Sequence, residues 1–252
     1  MAAVWRRDNY VVGGGTGEIA LIALSSQKLP DPLPVSRTRH GMPDEGSGAD
    51  AVALVARDRS DDPAWFTEQV VAPFADLIAA DLGPQHAAAA LAAEHAYVIE
   101  AQLDDPDDLS HIQAAWALAK CVCEEGASVV IDVYAARAHL GSDIAKLGPD
   151  RSFDVMHEVT LFFDETGDTM AAWSLGLRKF GRPDVVLLGI DPPAATEAAL
   201  LLRDVAQTLA SGERIEPGDT VEAPGGRSLE AERFDPDSEA AVAVEGDAIL
   251  LR

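Results

Sequence analysis

MAAWSLGLRKFGRPDVVLLGI, residues 170–190, sets an alternating strand, a basic corner from Arg178 to Asp184 and a second apolar strand in close order. Thr169 to Lys179 and Asp184 to Ile190 read as strands, with Gly181-Arg182-Pro183 between them as the turn that Gly and Pro favour. Upstream, Asp154 to Phe163 alternates as well, and Asp164-Glu165-Thr166-Gly167-Asp168 joins it to the next strand. Three strands with short links predict an antiparallel meander.

Working outward, Asp191-Pro192-Pro193 starts a helix with Leu200, Leu201, Val205 and Leu209 inward and a stop near Gly212. The last stretch, Glu213 to Arg252, carries eleven acids and four arginines, with short strands expected at Ser228 to Phe234 and Ala248 to Leu251. On the other side, Ser128 to Tyr134 is a β-branched run covered on both faces. Before it, Leu109, Ile112, Trp116, Ala119 and Val122 recur at helical spacing up to Gly126, and His95 to Leu103 alternates as a strand. Strand, helix, strand in this order predicts a βαβ unit. Further towards the N-terminus come a strand at Glu18 to Leu24, a proline-rich loop at Ser25 to Asp50 and a strand at Ala51 to Ala56. A helix then opens at Asp62-Pro63, with Trp65, Phe66, Val70, Phe74, Leu77 and Ile78 inward.

These readings add up to an α/β (α+β) protein: a mixed, partly antiparallel sheet with helices packed on it and a small irregular C-terminal β extension. The expected division is a flexible N-terminal arm at 1–17, a main domain at 18–211 with a loop insert at 25–50, and an acidic C-terminal extension at 212–252.

With 19 basic and 43 acidic residues among 252, the formal charge is −24, which repels nucleic-acid phosphates and anionic lipid headgroups. A protein partner is compatible with that charge; nucleic acid and membrane are not. Four lysines beside fifteen arginines fit a GC-rich bacterial genome, and the acid excess also fits a salty medium. Cys121 and Cys123 lie two apart in a helical stretch, too divergent for a disulfide, and read as buried thiols in a reducing compartment. Behind Arg6-Arg7 the first apolar run, Ile19 to Leu24, is too short for an export core, so a cytoplasmic location is expected.

Gly13-Gly14-Gly15-Thr16-Gly17 precedes a strand rather than a helix and lacks a following Lys-Ser/Thr, which argues for a mobile arm over a phosphate loop. Ser25-Ser26-Gln27-Lys28 has the Ser-x-x-Lys spacing of penicillin-recognising enzymes, but Pro30 forbids the helix that spacing needs. No cofactor signature is present. The least ordinary polar residues are those inside predicted strands. His157 shares a face with Val155, Val159, Leu161 and Phe163, and Glu100 and Asp132 interrupt two other apolar strands. Brought together, Glu100, Asp132 and His157 would suit a divalent metal or acid–base catalysis; separately, they are a hydrogen-bonded core histidine and two acids at strand ends. Arg178, Lys179 and Arg182 form a basic cluster, the place where an anionic ligand or the acidic C-terminal segment would dock.

Gly176, Leu177, Phe180, Gly181, Pro183 and Asp184 spell Gly-Leu-x-x-Phe-Gly-x-Pro-Asp. With the apolar strand and helix that follow, this corner resembles bacterial protein families classed as domains of unknown function. Those relatives carry a His-Thr-Arg-like triplet before the glycine, where this chain has Trp173-Ser174-Leu175. The resemblance implies a fold type rather than a reaction. Two functions are therefore expected: a non-enzymatic cytoplasmic interaction or accessory protein, or a small-molecule enzyme working through Glu100, Asp132 and His157.

Overall fold

The computed structural model describes residues 2–44, 48–223, 226–236, 242–244 and 246–252. It is an α+β protein whose strands divide between two mixed or antiparallel sheets. The chain separates into two compact units: residues 1–6, 18–103 and 108–153 form one, and residues 7–17, 104–107 and 154–252 form the other. The chain passes between them at 6/7, 17/18, 103/104, 107/108 and 153/154, and residues 154–252 lie in one unit. The meander belongs to the second unit's sheet instead of continuing the first.

In the first unit, β1 (Thr16–Ser25) is followed by α1 (Arg37–His40), β2 (Ala53–Asp58), α2 (Pro63–Phe66), a π turn at Thr67–Val71, α3 (Ala72–Leu82) and α4 (Pro84–Leu91). Then come β3 (His95–Asp104), α5 (Ser110–Glu124), β4 (Val129–Asp132), β5 (Arg137–Leu140) and α6 (Gly141–Ile144). The sheet order is β2-β3-β1-β4-β5. β1 is buried on both faces, with Leu21 and Ala23 on one and Ile22 and Leu24 on the other. Ile22 and Leu24 pack with Phe66, Val70 and Ile78 from the helical stretch that Asp62 caps, its carboxylate accepting from the Trp65 N–H at 3.1 Å. α5 is buried around most of its girth, Cys121 and Cys123 included, which fits a helix that is apolar on nearly every side.

The second unit holds α7 (Val155–Glu158), β6 (Thr160–Thr166), β7 (Thr169–Leu175), β8 (Asp184–Ile190), α8 (Ala195–Ala210), β9 (Thr220–Ala223), β10 (Arg227–Arg233) and β11 (Ala248–Leu251). Its order is β6-β7-β8-β11-β10-β9, with β8 and β11 parallel and the other neighbouring pairs antiparallel. The C-terminal segment, expected as a separate extension, thus supplies half of this sheet. Ala171, Trp173, Val186 and Leu250 pack beneath Phe234, Val242 and Val244. α8 buries Leu201, Leu202, Val205 and Leu209, while Leu200, expected inward, is 39% exposed. Among the described residues no helix is long and apolar enough to cross a membrane.

The stretch expected as one strand from Asp154 to Phe163 begins instead with α7, capped by the Asp154 carboxylate accepting from the Met156 N–H at 3.0 Å. The helical turn resets the alternation, so the inward ring of β6 is Phe162, stacked on Trp173 at 5.7 Å, and Phe163 turns outward.

Candidate functional site

Glu100, Asp132 and His157 are not assembled into a site. Glu100 is exposed on β3, opposite Ala53 of the edge strand β2. Asp132 is fully buried at the end of β4, where its carboxylate accepts from the Ala135 N–H at 3.2 Å and closes the turn into β5. β1 lies between the two strands that carry these acids. His157 belongs to the other unit; it rides on α7 with its side chain 58% exposed, its ring 4.0 Å from the Asp154 carboxylate. Among the described residues no group of three or more His, Cys, Asp and Glu side chains could hold a metal ion.

The basic corner is largely internal. After β7 the chain makes a 3₁₀ turn, Leu177–Phe180, between Gly176 at φ 122° and Gly181 at φ 62°. A β-carbon at Gly176 would collide with the Glu158 carbonyl oxygen, and one at Gly181 with the Gly15 carbonyl oxygen, so only glycine fits either position. This tight turn points Arg178 to solvent and drives Lys179 inward, where its Nζ donates to Glu158 Oε2 at 2.8 Å with both side chains buried. Asp184 lies fully buried at the start of β8 and accepts from the Ser174 hydroxyl at 2.9 Å and the Leu177 N–H at 3.2 Å. Burial pushes its carboxyl up to about 7, against those hydrogen bonds and the charge of Lys179.

Arg182 is buried too. Its guanidinium donates to Asp105 Oδ1 at 3.1 Å and to the carbonyls of Gly181, Val11, Gly212 and Glu213 at 2.8–3.2 Å. It therefore holds Val11, Gly212 and Glu213 by their backbone oxygens and Asp105 by its carboxylate. A second arginine, which the sequence reading passed over as half of a weak export-like pair, completes the arrangement. Arg7 donates to the carbonyls of Pro106, Phe180, Leu209 and Ala210 at 2.6–3.1 Å. Burial first, and then the nearby Arg182, lower it to about 10, so it stays charged at neutral pH.

The glycine run is likewise bound rather than free. The Gly13 N–H and the Tyr10 hydroxyl donate to Asp105 Oδ2 at 2.6 and 2.9 Å, and the Gly15 N–H donates to the Gly181 carbonyl at 2.9 Å. A β-carbon at Gly14 would overlap the Arg182 guanidinium, which explains why small residues are gathered here. Burial alone would raise the Asp105 carboxyl, but hydrogen bonds from Gly13, Tyr10 and Arg182 outweigh it and hold the group at about 2.

The same unit carries an open groove of about 300 Å³. α8 lines it with Val205 and Thr208, β9 with Thr220 and Val221, and the connecting segment with Glu213, Arg214, Ile215 and Asp219. β9 is the outermost strand of its sheet. The Ala231 N–H donates to the Asp219 carbonyl at 2.8 Å, whereas Glu230, opposite Thr220, exchanges both backbone bonds with Arg252. By the two-residue alternation of an antiparallel ladder, Thr220 and Glu222 turn their own N–H and C=O away from β10 and into the open edge. Arg214 is spent on Glu216 and the Val12 carbonyl, and the carboxylate of Glu213 makes no ion pair among the described residues. The groove thus pairs an apolar floor with an acidic wall and unused strand hydrogen-bonding groups.

Comparison with family models, with curated proteins and with solved structures finds no match to this chain.

Proposed function

We propose that this chain is a non-enzymatic interaction or accessory protein of the bacterial cytoplasm that works by binding another protein. The observation that carries this reading is where its charged and open features lie. Lys179, Arg182, Arg7, Asp132 and Asp184, the residues with the chemistry for a reaction, are committed to helix ends, turns and one another. The groove between α8 and β9 is floored by Val205, Ile215 and Val221 and bordered by an unpaired strand edge, features suited to seating a polypeptide. The charge of −24 adds long-range attraction for a basic partner.

Reconstitution tests this reading. A protein captured on the full chain at low salt, then purified and titrated back by calorimetry, is expected to form a stoichiometric complex that weakens as salt rises. Turnover of a small molecule by the chain alone, lost in the Glu100→Gln, Asp132→Asn and His157→Ala variants, would overturn it in favour of an acid–base or metal-dependent enzyme.

A further inference from the structure

We propose that the α8–β9 groove is a strand-addition site for an extended, basic segment of another protein. This rests on the reading of the chain as an interaction protein and names the surface and the chemistry of what it takes. Two independent features meet at the same place. One is the free edge of β9, where Thr220 and Glu222 present outward N–H and C=O groups. The other is the cleft alongside it, wide enough for side chains and floored by Val205, Ile215 and Val221.

An added strand sends alternate side chains to opposite faces, so every second residue of the guest falls into the cleft while the others face solvent. The cleft fixes what those side chains are. Glu213 and Asp219 line it, and the exposed Glu216 and Glu222 flank it. Arg214, the basic residue in its lining, is already bonded to Glu216. A lysine or arginine lays its aliphatic stem on Val205, Ile215 and Val221 and brings its cationic head to Glu213 and Asp219. A second copy of this chain is the wrong guest. Its outermost strands in this sheet carry Asp164 and Glu165 on β6 and Glu222 on β9, and each copy adds a charge of −24.

The probe is a capped peptide alternating Lys and Val, titrated into the isotopically labelled full chain in about 50 mM salt and followed by amide NMR. Shifts are expected at Thr220, Val221, Glu222, Ile215 and Val205, with none from a peptide alternating Glu and Val. Thr220→Pro removes an outward N–H without touching the β10 ladder, and Glu213→Lys reverses the wall charge; each is expected to weaken binding about ten-fold or more. Should Thr220→Pro disturb the fold, the Glu213→Lys/Glu222→Lys pair gives the same reading from the side chains alone. Shifts centred elsewhere, or equal affinity for the wild type and the folded variants, overturn the groove assignment. If the protein partner of the reconstitution binds Thr220→Pro and Glu213→Lys as tightly as wild type, the groove is excluded while the interaction reading stands. If no protein partner is captured and the chain turns over a small molecule, the interaction reading itself falls.

Discussion

Lys179 and Glu158 face each other at 2.8 Å with both side chains out of solvent, and the cost of such a pair shows when one member is removed. Lys179→Met takes away the buried cation from which Glu158 Oε2 accepts and is expected to cost about 3–5 kcal/mol in urea denaturation. The Lys179→Met/Glu158→Leu pair is expected to recover a large part of that loss, because both members of the buried pair are then replaced together. Asp184 behaves differently because its carboxyl is raised from 3.8 to about 7. The folded state then keeps a proton that the unfolded chain releases, so this residue's contribution to stability is full below pH 3.8 and is lost as pH rises to about 7. Between pH 5 and about 7.5, denaturation midpoints of the wild type are expected to fall relative to Asp184→Asn, which carries no titrating group there. A constant offset between the two across that range would show that Asp184 is ionised throughout. The sequence marked Lys179 and Arg182 as special for their charge on an acidic chain. It was silent on their burial, since a turn at a Gly-Pro corner is normally solvated and nothing local reveals Glu158 or Asp105 as partners.

At the scale of elements, α8 ends at Ala210, and two arginines from distant parts of the sequence donate to carbonyls at that end and just beyond it. Arg7 takes Leu209 and Ala210, and Arg182 takes Gly212 and Glu213. Arg7→Ala takes the guanidinium donor from four carbonyls, of which Leu209 keeps the Gly212 N–H; because a buried acceptor left unmade costs about 1–3 kcal/mol, the second unit is expected to melt below the wild type. Arg7→Lys rescues little, since one ammonium cannot span the positions of a planar fork. Calorimetry of the three proteins checks both statements. Much at this scale was legible: periodicity located α8 and the β6-β7-β8 meander, and the helical recurrence of Leu109, Ile112, Trp116, Ala119 and Val122 located α5 although it is buried on nearly every side. It failed at α7, where a capping aspartate turns four residues into a helix within an alternating run. It also failed at β5 and β9, whose four residues, Arg-Ala-His-Leu and Thr-Val-Glu-Ala, are half polar, whereas the equally short β4 and β11 stand out as apolar runs. The groove escaped notice for the same reason, since β9 forms one of its sides.

At the scale of the molecule, each unit is built from stretches far apart in sequence, and the second gathers residues 7–17, 104–107 and 154–252. The C-terminal fragment 154–252 therefore keeps its strands but loses Arg7, Asp105 and the Val11 carbonyl, the partners of α8's end and of Arg182. Expressed alone, it is expected to give collapsed amide dispersion in its NMR spectrum, with dispersion restored when the segment 1–153 is supplied. A well-dispersed spectrum from the fragment by itself would show that the arginine braces are dispensable. The sequence suggested an arm, a body and a tail because composition shifts at residues 17 and 211; contacts between distant stretches leave no mark on composition.

The polypeptide crosses between the two units at 6/7, 17/18, 103/104, 107/108 and 153/154. No single cut in the gene frees either one. Recombination that joins modules end to end therefore cannot carry either unit away as one continuous segment.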